Sequence, residues 1–250
     1  MSKYYLINPE LYDNQFWWKK DDLEFWKNQL LNHKNKRILE LAAGTGRIAE
    51  SLVREGALYT GLELSSAYVK FANQKLQNQF GDSHILQGDM REFKLSQLYD
   101  YIFIGFNSFL HLLTEVEAIK CLLCIKQHMK KNSILYIDLF VPDPMFLNRS
   151  QKDKLQILNF HDNKINKQVD VYEKLEYNSE SEIASITWSY IADKASVYTD
   201  FLFNMKIYYP DTMHKIIEAS GLSIIDIFGS YDEEKFNENS SLQIYKCMLK

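Results

Sequence analysis

Arg37-Ile-Leu-Glu40-Leu-Ala42-Ala-Gly44-Thr-Gly46-Arg47-Ile-Ala49 is the stretch that decides the fold. Its first five residues are short and mostly apolar, as a buried strand requires. Two glycines follow, and then Arg47 opens a run with helical spacing up to Glu55. Glycine lets a backbone turn sharply and lets a ligand approach closely. The free N–H groups at the start of the next helix favour a negative ligand group. A lone G-x-G-x-x-A can also be no more than a tight strand-to-helix turn, so its surroundings must settle its meaning.

Outward from this stretch the chain alternates strand and helix. Leu58-Tyr-Thr-Gly-Leu-Glu63-Leu64 reads as a second strand, and Ser65 can cap a helix running to about Gln79. His84-Ile-Leu-Gln is a third strand, and Tyr101-Ile-Phe-Ile-Gly-Phe106 is a fourth, apolar on both faces. Thr114 and Glu117 form a capping box for a helix to Lys130. Ile134 to Phe140 is a fifth strand. Such alternation predicts a parallel, doubly wound α/β sheet. Residues 9 to 31 read as a helical, aromatic N-terminal segment.

After Pro142 the rhythm changes. Val169–Tyr172, Ala184–Tyr190, Ser196–Phe203 and Met205–Tyr209 are β-rich runs separated by polar stretches. They predict an antiparallel insertion of three or four strands. A helix over Asp211–Ser220 stopped by Gly221, and two strands over 223–228 and 243–249, then complete the first domain. The expected organisation is a helical lid over 1–34, a core over 35–145 and 206–250, and an inserted β subdomain over 146–205. The insertion is expected to cap a substrate or to form a homodimer interface.

Composition narrows the function. The chain has 250 residues, 46% apolar and 25% charged, with a net charge of −4. It has no long basic run, which argues against nucleic acid as a partner. No apolar run approaches the roughly 20 residues of a membrane helix. The N-terminus Met1-Ser-Lys-Tyr-Tyr has no apolar signal region, so a cytoplasmic location without membrane attachment is expected. Cys121 and Cys124 form a C-x-x-C, but they sit in an amphipathic helix pattern and no second Cys or His pair has zinc spacing. No metal is expected.

Glu63 ends the second strand, where a carboxylate can accept both hydroxyls of a ribose. Nicotinamide dinucleotides and S-adenosylmethionine (SAM) both use this arrangement. Two signals separate them. Gly88-Asp89-Met90 closes the third strand, where Asp can accept from an adenine amino group and Met can cover the ring. Glu40 lies just inside the first turn, where SAM brings cationic groups and a dinucleotide would bring a pyrophosphate that an acid repels.

On these residues the chain resembles the class I SAM-dependent methyltransferases. The turn matches their E/D-x-G-x-G-x-G pattern, with Ala42 in place of the first glycine and Arg47 directly after the last. Glu63, with Leu64 beside it, matches the ribose-binding acid, and Asp89-Met90 the adenine pair. Phe106-Asn107-Ser108 matches the segment that lines the methionine moiety. The resemblance covers about 37 to 140 and resumes at 206 to 250. It implies a Rossmann-like seven-stranded sheet of order 3-2-1-4-5-7-6, with strand 7 antiparallel. It also implies SAM as cofactor, with Gly44, Arg47 and Asn107 at its methionine end. The aromatic N-terminus and the β insertion are similar to small-molecule N-methyltransferases of the glycine/sarcosine type and their natural-product relatives.

Methyl transfer from a sulfonium mainly requires alignment, and a base only when the acceptor arrives protonated. His111, four residues after Asn107, is the candidate base, since an imidazole titrates near neutrality. Tyr12 and Trp18 are expected near the sulfonium, where aromatic faces attract a cation. Trp188, Tyr190 and Tyr208 are candidates for an acceptor pocket, with plain strand-core packing as the competing expectation. The expected function is SAM-dependent methylation of a small molecule at nitrogen. A NAD(P)-binding oxidoreductase and a non-catalytic SAM-binding protein are the alternatives.

Overall fold

The computed structural model describes residues 7–31, 35–80, 84–150, 154–192 and 196–250, and their side chains except at 77–80 and 196–198. Met1–Tyr5 lies outside these residues. The chain divides into two compact units. One comprises Lys20–Val141 with Tyr209–Lys250; the other comprises the residues up to Lys19 with Pro142–Tyr208.

The larger unit is a seven-stranded sheet. Its strands are β1 (Arg37–Leu41), β2 (Leu58–Glu63), β3 (His84–Gln87), β4 (Tyr99–Ile104), β5 (Met129–Phe140), β10 (Leu222–Phe228) and β11 (Leu242–Leu249). They lie in the order β3-β2-β1-β4-β5-β11-β10, with β11 antiparallel to both neighbours and the first five parallel. This is the expected order 3-2-1-4-5-7-6 in the core's own count. The helices are α2 (Asp21–Leu30), α3 (Arg47–Arg54), α4 (Ser66–Phe80), α5 (Glu115–Lys126) and α7 (Pro210–Ala219). Phe25, Trp26 and Leu30 of α2 pack with Ile48, Leu52, Phe103 and Tyr136 in one buried cluster. Full burial of such side chains contributes about 1.5–3 kcal/mol each.

Two element boundaries differ from the periodicity. The aromatic run over 9–31 is two helices, α1 (Pro9–Gln15) and α2, separated by a turn in which Lys19 N–H donates to the Phe16 carbonyl. Hydrophobic spacing carries no mark of that break. Helix α5 stops at Lys126, and Met129 already belongs to β5. Tyr99 and Met129 pair across the sheet, and the Ser133 hydroxyl donates to the Tyr99 carbonyl at 2.5 Å. These long-range bonds draw the segment out of the helix. The capping box stands as expected at its Thr114 half, with Glu117 N–H on the Thr114 hydroxyl at 3.1 Å. Cys121 and Cys124 are buried on α5 with free thiols.

The smaller unit is a four-stranded antiparallel sheet, β6-β7-β8-β9 (Leu155–Asp162, Lys167–Asn178, Ile183–Ala192, Ser196–Lys206). Strand β6 escapes the sequence reading because Asn159, His161 and Asp162 interrupt its apolar pattern. The runs expected at 196–203 and 205–209 are one strand, β9, ending at Lys206. Helix α1 packs on this sheet through Ile7 and Leu11, against Phe160, Val169, Val171 and Tyr190. The short α6 (Pro144–Leu147) precedes β6. No helix among the described residues is long and apolar enough to cross a membrane.

Candidate functional site

The glycine-rich turn joins β1 to α3 at the carboxyl end of the parallel sheet, where ligands of doubly wound folds bind. Three of its residues have left-handed backbones: Ala42 (φ 56°), Gly44 (φ 57°) and Gly46 (φ 74°). The glycines serve different ends. A Cβ on Gly46 would sit 3.4 Å from Ala72 and from Ile85, so this glycine lets α3 pack closely. A Cβ on Gly44 would meet nothing within 4 Å, so Gly44 borders open space. Ala42 takes the positive φ of the replaced first glycine, a conformation with a modest strain for a residue with a Cβ.

Glu63 lies beside Gly44. It is 2% exposed, and its carboxylate accepts the N–H of Gly44 at 3.0 Å and of Ser65 at 2.8 Å. Burial raises its pKa, and these backbone bonds oppose the rise. A buried carboxylate fixed next to an open glycine is a ready acceptor for the hydroxyls of a ligand. Leu64, the next residue, is 43% exposed.

Glu40 and Arg47 complete the floor. The Tyr59 phenol donates to Glu40 Oε2 at 2.5 Å, and burial pushes the Glu40 carboxyl up to about 8. Asp22 of α2, fully buried, receives both terminal nitrogens of Arg47 at 2.7 Å. The Arg47 guanidinium also lies 5.2 Å from the centre of the Phe106 ring.

At the end of β4, Phe106 (φ 51°) and Asn107 (φ 62°) are consecutive left-handed residues, and neither is glycine. Such strain persists where surroundings over-determine it, and it clusters at functional sites. Here the Asp138 carboxylate accepts the Phe106 N–H at 2.8 Å, and the Tyr231 hydroxyl donates to the same oxygen at 2.8 Å. Asn107 Oδ1 accepts the Phe140 N–H at 2.7 Å, which orients its amide. The segment continues into a 3-10 turn over Ser108–His111, where His111 is exposed.

Asp89 and Met90 follow β3. The Asp89 carboxylate binds the Arg91 side chain, with Nη2 at 2.6 Å, and the Arg91 backbone N–H at 2.9 Å. Burial alone would raise the Asp89 pKa, but Arg91 holds it below the usual carboxylate range. An adenine amino group would therefore share this carboxylate with Arg91.

The larger unit thus gathers Ala42, Gly44, Arg47, Glu63, Leu64, Asp89, Met90, Phe106, Asn107 and His111 at one end of its sheet. The remaining candidates lie in the smaller unit. The Tyr12 ring lies tilted at 58° against that of Phe16, with ring centres 4.7 Å apart. Trp18 is 46% exposed in the turn after α1. Tyr190 is fully buried and its hydroxyl donates to Gln15 at 2.5 Å. Trp188 donates its indole N–H to Glu173 at 2.7 Å. Tyr208, just beyond β9, is buried. Asp22, Tyr59, Asp138 and Tyr231 hold the candidate site in place, and the sequence reading missed them. Each reaches the site from an element whose packing no local pattern records.

Comparison with known proteins finds similarity to methyltransferases. Residues 38–132 match the family model of a methyltransferase domain. A putative methyltransferase of Geobacillus sp. (strain WCH70) is 32% identical over 103 residues, 41% of this chain and 42% of that protein. The dTDP-3-amino-3,4,6-trideoxy-alpha-D-glucopyranose N,N-dimethyltransferase of Streptomyces venezuelae is 28% identical over 101 residues, 40% of this chain and 41% of that one. The chain spans about two fifths of the length of these curated relatives. The CcbJ methyltransferase of Streptomyces caelestis shares the fold with a TM-score of 0.81 at 16% identity, covering 97% of each chain.

Proposed function

We propose that the chain, whose residues 38–132 match a methyltransferase domain, is a class I SAM-dependent methyltransferase that transfers a methyl group from SAM to a nitrogen of a small-molecule acceptor. The observation that carries this reading is the pairing of an open Gly44 with a buried, backbone-anchored Glu63. The choice of nitrogen is supported by the Streptomyces venezuelae relative, whose name specifies dimethylation of an amino sugar.

When bound, the cofactor supplies a methyl group already activated on a sulfonium. The protein's residues hold and orient. Glu63 takes the ribose hydroxyls, Asp89 and Met90 the adenine, and Gly44, Arg47 and Asn107 the methionine end. Ala42, Leu64 and Phe106 line the same end of the sheet. Holding the reactants in line can supply about 7–11 kcal/mol of the barrier. An amine acceptor that arrives as an ammonium must first lose a proton, and His111 is the residue assigned here to take it. The amine lone pair then forms the N–C bond as the S–C bond breaks, and that electron pair stays on sulfur.

Calorimetry with SAM and with its demethylated product tests the reading. The native chain is expected to bind both. Glu63→Ala is expected to weaken binding at least tenfold, since a hydrogen bond to a charged group contributes about 1.5–3 kcal/mol. A native chain that binds neither compound, or a folded Glu63→Ala that binds as well as the native, overturns it.

A further inference from the structure

Behind the glycine-rich turn four charged side chains meet, and their formal charges do not balance. Arg47 is the cation, and the fully buried Asp22 holds it through two 2.7 Å bonds. Glu63 is satisfied by the N–H groups of Gly44 and Ser65. Glu40 is 4% exposed, and its carboxyl receives one hydrogen bond, from the Tyr59 phenol. Three carboxyls therefore share one guanidinium, which Asp22 already neutralises. A buried carboxylate without a counter-charge is costly, and the usual outcome is that it takes up a proton.

We propose that Glu40 holds a proton while the site lacks its cofactor and releases it when the cofactor's ammonium binds, with Tyr59 positioning the carboxyl for that exchange. The inference rests on the SAM reading of the site. The only bond broken is the Glu40 O–H: its electron pair stays on the carboxylate oxygen, the proton passes to solvent, and the ammonium replaces it as the balancing positive charge.

The groups facing Glu40 support this exchange. From β2, Tyr59 donates to it and Glu63 repels its anion; from α3, Arg47 attracts the anion; from α2, Asp22 offsets that attraction. Desolvation outweighs these and pushes the Glu40 carboxyl up to about 8. Burial and the neighbouring Glu40 push the Tyr59 phenol far above its usual range, so Tyr59 remains a donor throughout. The sign follows. A ligand that favours the ionised form of a group with a raised pKa binds more tightly as pH rises, until the free site has itself lost the proton.

The test is calorimetry of SAM binding, without acceptor, in two buffers of different ionisation enthalpy. With a carboxyl titrating near 8, about 0.9 proton per site is expected to be released at pH 7, and affinity is expected to rise nearly tenfold from pH 6 to 7. 5′-Methylthioadenosine, which has no ammonium, is expected to bind without releasing a proton. Glu40→Gln, close in shape and always neutral, is expected to abolish both the release and the pH slope. Tyr59→Phe removes a bond that favours the Glu40 anion, so it is expected to move the midpoint of the affinity profile upward. A merely structural Tyr59 would leave that midpoint in place. Buffer-independent enthalpy in the native protein, or a slope that survives in a folded Glu40→Gln, overturns this inference alone. A chain that binds no SAM overturns the site reading and this inference together.

Discussion

Replacing Asp22 with alanine isolates a contact that ties α2 to the glycine-rich turn. The native carboxylate is fully buried and receives both terminal nitrogens of Arg47 at 2.7 Å. Removing one partner of a buried pair leaves the other charge uncompensated, which costs about 3–5 kcal/mol. The Arg47 side chain keeps 18% of its surface exposed, so water can recover part of the loss. The lower end, about 3 kcal/mol, is therefore the expected value. For a chain of this size each kcal/mol lowers the melting temperature by roughly 2–4 °C, so a fall of about 6–12 °C is expected. Calorimetric melting of the single variant and of Asp22→Leu/Arg47→Met checks the mechanism. In the double variant both charges are gone and apolar groups fill the space, so most of the loss is expected to be restored. A single variant within 2 °C or so of the native protein, or a double variant no more stable than the single, refutes the reasoning.

Two other expectations follow the same logic. Glu173 stands on the buried face of β7 between Val171 and Leu175, and it bonds the Arg149 guanidinium and the Trp188 indole. Glu173→Leu is expected to cost about 3 kcal/mol in urea unfolding, and the added Arg149→Met to recover most of it; two variants of equal stability would exclude a coupled pair. His111→Ala is expected to lower kcat by about a hundredfold or more while SAM affinity stays unchanged. An unchanged kcat on an amine acceptor would remove His111 from the chemistry.

The parallel sheet was legible in the sequence because its signals are local. Each strand is a short apolar run with a turn residue at its end, and Gly44, Gly46 and Gly221 mark turns by a conformation that other residues avoid. The candidate ligand-binding acids were legible for a related reason. Glu63 ends β2 and Asp89 follows β3 by two residues, and in a parallel sheet strand ends converge on one edge. The insertion was legible as antiparallel but not in its detail. Polar residues concealed β6, and two runs proved to be the single strand β9.

By itself, then, the sequence determined the alternation of strands and helices from β1 to β5, the glycine-rich turn and the carboxylates at the strand ends, because each is written within a dozen contiguous residues. Tertiary structure alone decided that Asp22 neutralises Arg47, that Tyr59 leaves Glu40 a single donor, and that Asp138 and Tyr231 hold the strained Phe106-Asn107 pair. These partners lie far apart along the chain or on different elements. Whether a buried charge finds a counter-charge depends on distances of about 3 Å that no local pattern encodes.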